Sequence, residues 1–287
     1  MEKFRALELR HVLAAVASFA MLASVYPAWS QSSAAAERAL DAALAGAHRS
    51  AANKARDRYR HPKETLAFFG FRPDMTVVEV WPGPGWYTEV LAAAIGEGGK
   101  LYAAHYGSNR PFPYQTRELE AFTAKLASAP DVYDTVTVTR FGFPDELTMA
   151  PPGSADLVVT FRNVHNWFQQ GYGPPNAAEL AFGAMFAALK PGGVLGVVDH
   201  RWPDPATEDP ASRNGYISEE RVIRHAEAAG FELAGRSDVN SNPLDTHDHP
   251  EGVWTLPPDL ALGERDRDKY LRIGESDRFT LKFVKPR

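Results

Sequence analysis

The sequence predicts an α/β fold, a doubly wound sheet of seven mainly parallel strands. Three observations lead there. From residue 62 onward, short apolar runs alternate with segments of helical periodicity. The runs "ADLVVTFR" and "VLGVVDH" are almost continuously apolar, as strands buried on both faces must be. The run "VVEV" passes directly through "WPGPGW" into a helix, and that is the strand, glycine turn and helix of a nucleotide-type crevice.

Taken in order, residues 1–30 read as a secretory signal peptide. Lys3, Arg5 and Arg10 give a positive start, Val12 to Tyr26 is an apolar run too short for an ordinary membrane span, and Ala28 and Ser30 supply small residues for cleavage after Ser30. The protein is therefore expected in the periplasm or outside the cell, with no integral span once the leader is removed. Residues 31–55 are alanine-rich and then charged, an N-terminal helical or linker segment. Residues 56–287 form the main domain. Its first stretch, "RDRYRH", reads as a helix end with its charges in water, or as a lid carrying Tyr59 and His61.

"KETLAFFGF" follows as a short helix ended by Gly70. After the first strand and its turn, "WYTEVLAAAI" has helical spacing and "KLYAAH" is the second strand. "YQTRELEAFTAKLAS" is a helix, "VYDTVTV" the third strand and "ADLVVTFR" the fourth. Asn176 with Glu179 three residues on marks a capped helix, closed by "PGG" before the fifth strand "VLGVVDH". Ser218 caps the next helix, and "FELAGRS" and "DRFTLKFVK" complete the strands.

Composition narrows the chemistry. The chain has no cysteine, which excludes disulfides, thiolate nucleophiles and Cys-liganded metals. Its formal charge is −5 with no basic block, which argues against nucleic acid as a partner. Ligands on sheets of this type bind at the carboxyl ends of the strands, near the point where strand order reverses. That rule selects Glu79, Trp81, Gly83 and Gly85 after the first strand, His105 after the second, Arg162, Asn163, His165 and Asn166 after the fourth, and Asp199, His200 and Arg201 after the fifth. Tyr216, in the "RNGY" turn beyond the fifth strand, has a claim on the same pocket.

The stretches "VVEVWPGPGWYTEVLA", "FRNVHNW", "ALKPGGVLGVVDHR", "RNGYI", "HPEGVWTLPP" and "ESDRFTLKFVKPR" resemble the class I S-adenosylmethionine-dependent methyltransferases, and within them a group of signal-peptide-bearing bacterial proteins. The resemblance implies a Rossmann-like sheet whose last strand is antiparallel. It implies S-adenosylmethionine as cofactor, with Glu79, Trp81, Gly83, Gly85, Tyr87, His105 and Asn163 around it. It also implies methyl transfer to a small molecule or envelope component, with His165, Asp199 or His200 as base, Asn163 and Asn166 orienting the acceptor and Tyr216 closing the pocket.

This chain departs from the family at His105, where an acid usually accepts from the ribose hydroxyls; a neutral imidazole accepts one hydrogen bond, not a pair. That departure supports the alternative, a protein that keeps the fold but binds another ligand or does no chemistry. The loop "LDTHDHPEGVW" brings Asp245, His247, Asp248, His249 and Glu251 together as metal-ligand types. Short clusters of this kind more often cap turns in polar loops, and no metal is assigned.

Overall fold

The computed structural model describes residues 34–287; the leader expected at residues 1–30 lies outside them. Its strands are β1 (Thr76–Val80), β2 (Lys100–Tyr106), β3 (Val136–Phe141), β4 (Ala155–Phe161), β5 (Leu189–His200), β6 (Glu232–Ser237) and β7 (Arg278–Val284). Helices α1 (residues 34–45), α2 (Ala51–Lys54), α3 (Asp57–Arg60) and α4 (Pro62–Phe69) precede β1. Then α5 (Thr88–Ala94) follows β1, α6 (Pro113–Ser128) and α7 (Pro130–Tyr133) follow β2, α8 (Ala177–Ala188) follows β4, α9 (Glu219–Ala228) follows β5 and α10 (Arg267–Ile273) follows β6.

The seven strands form one sheet in the order β3-β2-β1-β4-β5-β7-β6. Strand β7 runs antiparallel to both neighbours, and every other pair is parallel. Successive residues of the central strands face opposite sides, so a run apolar throughout feeds two cores. In β4, Val158 joins the cluster built with Phe182 and Met185 of α8 and Val222 of α9, while Leu157 and Val159 join Leu66 of α4 and Leu91 of α5. Leu40 and Ala43 of α1 belong to that second core. Residues 34–45 are thus packed into the domain and not a frayed linker.

Caps and breaks decide where the helices sit. Gly70 ends α4 in the left-handed conformation, and the Ser218 hydroxyl accepts from the Arg221 N–H at 3.3 Å to start α9. Two boundaries differ from the sequence expectation. Pro130 opens the helical turn α7, so the third strand starts at Val136 and not within "VYD". Helix α8 stops at Ala188 because Leu189 already pairs with Ala155; the register then jumps to Leu157 opposite Val194, and Lys190 to Gly193 are accommodated as an irregularity in β5. Asn176 precedes α8 as expected but makes no side-chain cap bond.

Strand order reverses between β1 and β4. Their carboxyl ends, together with those of β2 and β5 and the amino end of antiparallel β7, meet at one edge of the sheet.

Candidate functional site

A cavity of about 770 Å³ opens at that edge. Of the residues singled out from sequence, Glu79, Trp81, Gly83, Tyr87, Arg162, Asn163, His165, Asn166 and His200 line it. Gly85, His105, Asp199 and Tyr216 do not, and each has another role.

The glycine turn comes first. Gly83 has φ +56 and lines the cavity, and a Cβ there would stand 3.5 Å from a carboxylate oxygen of Glu118 on α6. Gly85 has φ +84, but its missing Cβ faces Phe122 and Lys125 of α6 at 3.1 Å. The two glycines therefore do different things: Gly83 keeps the turn open to the cavity, and Gly85 lets α6 approach. Glu79, at the end of β1, accepts from the Thr88 hydroxyl at 2.6 Å. Burial pushes its carboxyl up to about 7, against the lowering effect of Thr88 and Lys125.

His105 does not face the cavity. Its Nδ1 accepts from the Tyr106 N–H at 2.8 Å, so Nε2 carries the proton and donates to the Gly83 carbonyl at 2.9 Å. Both ring nitrogens are thus spent on holding the turn, and no acceptor remains for a ribose. Burial lowers its pKa to about 4. The acid that β2 lacks arrives from another element. Glu118 lies against Gly83, lines the cavity, and accepts from the Tyr106 hydroxyl at 2.6 Å. Burial raises its pKa.

Around this end of the cavity the walls are aromatic. The ring of Trp81 lies 5.3 Å from that of Tyr106 and 6.4 Å from that of Tyr172, and Tyr114 and Tyr172 share a hydrogen bond of 2.8 Å between their hydroxyls. The indole N–H of Trp81 donates to the Phe141 carbonyl at 2.9 Å, which fixes the ring. Tyr87 stacks on Phe161 with centroids 3.5 Å apart and donates its hydroxyl to the Arg60 carbonyl at 3.1 Å.

At the ends of β4 and β5 the polar groups form a dyad. Asp199, fully buried, accepts from the backbone N–H of His165 at 3.1 Å, from its Nδ1 at 2.8 Å and from the N–H of His200 at 2.8 Å. His165 therefore carries its proton on Nδ1, and Nε2 is left unpaired among the described residues on a side chain that lines the cavity. His200 hydrogen-bonds Ser276 through Nδ1; burial, with the neighbouring His165 and Arg278 adding to it, holds its pKa well below the usual range. Asn163 donates its amide to the carbonyls of Val80 and Trp81 and to Thr160, which ties β4 to β1 and leaves its Oδ1 free of protein partners among the described residues.

Could these residues hold a metal? Ligand atoms of His165, Asp199 and His200 lie within 4.8 Å of one another, the one grouping of that kind among the described residues. Both Asp199 oxygens already accept N–H groups and His200 Nδ1 is taken, so two imidazole Nε2 atoms remain, too few for a closed site. The Asp245 to Glu251 loop is structural: Asp245 accepts from the Tyr216 hydroxyl, from His249 Nε2 at 2.8 Å and from the N–H groups of His247 and Asp277. Tyr216, 1% exposed, thus anchors that loop behind the cavity wall, and Val253 and Trp254 of the following turn supply the surface.

The remaining wall is cationic and was largely missed in the sequence. Arg60 is 2% exposed, and Arg56 lines the cavity beside it, where a solvated helix end was expected. Both donate to Glu275, as does Arg278. Burial would raise the Glu275 pKa, but Arg278, Arg60, Arg56 and Arg162 together hold it well below the carboxylate range.

No family model matches the chain, and no curated protein matches it. Among solved structures it is similar to a SAM dependent methyltransferase from Aquifex aeolicus, with 18% identity over 80% of this chain and 93% of that one and a TM-score of 0.52. It is also similar to the [4+2]-cyclase SpnF, with 15% identity over 79% and 80% of the two chains and a TM-score of 0.53. The fold is that of the class I S-adenosylmethionine-dependent methyltransferases. A cyclase shares it, so the fold alone does not choose the reaction.

Proposed function

We propose that this protein is an S-adenosylmethionine-dependent methyltransferase that acts on a small molecule outside the cytosol. One observation carries the reading: a single cavity joins a glycine turn with an acid set against it to an imidazole whose free nitrogen is held in place by a buried carboxylate. The first is what a nucleoside cofactor needs, and the second is what an acceptor must have to lose a proton.

The residues present fit the cofactor. Gly83 leaves room for close approach, Trp81 and Tyr106 offer aromatic faces, and Glu118 can accept from vicinal hydroxyls in the role that His105 cannot fill. S-adenosylmethionine, when bound, supplies a methyl group already activated by its sulfonium. What remains for the protein is alignment and proton removal. His165 Nε2 takes the acceptor's proton, Asp199 holds Nδ1–H and steadies the imidazolium that results, and Asn163 Oδ1 orients the acceptor. His200 stays neutral beside them.

Calorimetric titration of the protein with S-adenosylhomocysteine tests the cofactor half. Binding in the micromolar range, about −8 kcal/mol, is expected. Gly83→Trp should abolish it, and Glu118→Gln should weaken it roughly tenfold, about 1.4 kcal/mol. His165→Asn should leave it unchanged, because that residue serves the acceptor. Absence of heat with the unaltered protein would sink the reading.

Export is proposed from the charge, the apolar run and the small residues of positions 1–30. Protein purified from its native host is expected to begin at Gln31, as amino-terminal sequencing would read; an intact Met1 would overturn this. No helix among the described residues is long and apolar enough to cross a membrane.

A further inference from the structure

The cavity wall holds more positive charge than its own structure uses. Arg56, Arg60, Arg117, Arg162 and Arg278 line it with the carboxylates Glu118 and Asp259, and Glu275 pairs with three of these arginines. Glu275 is saturated: Arg56 Nε donates to one oxygen at 2.6 Å, Arg60 Nε to the other at 3.0 Å, and Arg278 joins them. Three guanidinium nitrogens are nevertheless left without a partner, Arg56 Nη2, Arg60 Nη2 and Arg278 Nε, on groups of which Arg60 and Arg278 are 2% and 3% exposed. A buried, unpaired N–H on a cation is costly, and such groups persist where a ligand completes them.

Arg162 adds a separate observation. It stands at φ +63, the left-handed region that a residue with a Cβ enters at a cost, and its side chain makes no hydrogen bond or ion pair among the described residues. No glycine has been placed there although the backbone asks for one. The guanidinium is therefore the reason to suspect a function. Asn163 and His165 follow it directly, so whatever Arg162 grips lies beside the base.

We infer that this cationic wall binds an oxyanion, a carboxylate or phosphate carried by the methyl acceptor, and places the acceptor's reactive group next to His165. The inference rests on the methyl-transfer reading above and names its substrate class. Five arginines, Arg117 included, against Glu275, Asp259 and Glu118 leave two positive charges uncompensated while Glu79 holds its proton, enough for a phosphate monoester or a dicarboxylate, and planar forks suit both. The cofactor's own amino-acid carboxylate is the competing source of the same chemistry. It would engage one fork and leave the other surplus charge unmet.

Inorganic phosphate is the probe. Titrated into the full-length protein, with and without saturating S-adenosylhomocysteine, it should bind in both cases with similar affinity. Arg162→Gly removes the guanidinium while relieving the backbone, so loss of folding is not expected to confuse the result. That variant should weaken phosphate at least tenfold, Arg162→Lys should recover part of the loss, and Arg56→Met, at a partly exposed position, should repeat the effect of Arg162→Gly. The nucleoside analogue 5′-methylthioadenosine, which lacks the amino-acid carboxylate, separates the two sources. Phosphate that competes with S-adenosylhomocysteine, together with an Arg162→Gly loss confined to S-adenosylhomocysteine and absent for methylthioadenosine, would assign the wall to the cofactor and overturn the inference. No phosphate binding at all would also overturn it. Phosphate binding that needs Arg162 in a protein that ignores S-adenosylhomocysteine would support the anion site and sink the methyl-transfer reading instead.

Discussion

Glu275→Gln is expected to destabilise the protein by about 3–5 kcal/mol, read as a lower urea midpoint at unchanged slope. Glutamine keeps the shape and one acceptor, but its amide nitrogen faces a guanidinium donor where the second oxygen stood, so the loss combines missing charge with lost hydrogen bonds. Arg60 and Arg278 are each 3% exposed at the side chain and share this carboxylate, and Arg56 adds a third donor. With the charge gone, cations that burial and mutual repulsion already disfavour lose the carboxylate they share and keep only Asp259 near them. The double variant with Arg60→Met should regain more than 1 kcal/mol relative to the sum of the two single changes, because it removes one of the buried cations that Glu275→Gln leaves unpaired. A loss below 1 kcal/mol for Glu275→Gln would mean that water reaches the network and screens it. The sign with pH follows from the depressed carboxyl: its contribution is complete above the unfolded value near 4.5 and is lost as pH falls below it.

That network also marks where the sequence stopped being readable. The succession of strands and helices and the glycine turn followed from apolar runs and local spacing, which is information carried within ten or twenty residues. Arg162 was legible as the end of a buried strand, but the arginine wall also draws on positions 56, 60 and 278, and no local pattern reports that a charged helix end turns inward. Glu118 left a faint trace: it lies four residues before Phe122, which is fully buried, and three after Gln115, which is 3% exposed, so it shares the one inward face of a polar helix. His105 was placed correctly at the end of β2 but given the wrong partner. Its neighbours in space, the Gly83 carbonyl and the Tyr106 N–H, are backbone groups that a comparison of side-chain types cannot see. Tyr216 shows the reverse error, a functional residue type whose hydroxyl is spent on Asp245 and which builds the wall.

Opposite pH dependences are expected for Glu79→Gln and His105→Gln, the two groups that brace the glycine turn from below and behind. Burial raises the Glu79 carboxyl from 4.5 to about 7, so the native state holds a proton that the unfolded chain has released. Its contribution is complete below pH 4.5 and lost as pH rises through 7, a swing of about 3 kcal/mol. Burial lowers the His105 imidazole from 6.5 to about 4, and a proton on Nδ1 would point at the Tyr106 N–H. Its contribution is complete above pH 6.5 and lost as pH falls through 4, again about 3 kcal/mol. Between pH 4.5 and 6.5 the two nearly cancel in the unaltered protein. Each substitution removes one side of that balance. Relative to the unaltered protein, stability from urea unfolding should rise with pH in Glu79→Gln and fall with pH in His105→Gln across this window. Equal slopes in the two variants would show that the turn is not desolvated. The expected result has a bearing on the site: a turn with a neutral acid beneath it and a neutral imidazole behind it presents no fixed charge of its own. The carboxylate nearest its open face is then Glu118, and the field that a cofactor meets there is set by α6 and not by the strand ends.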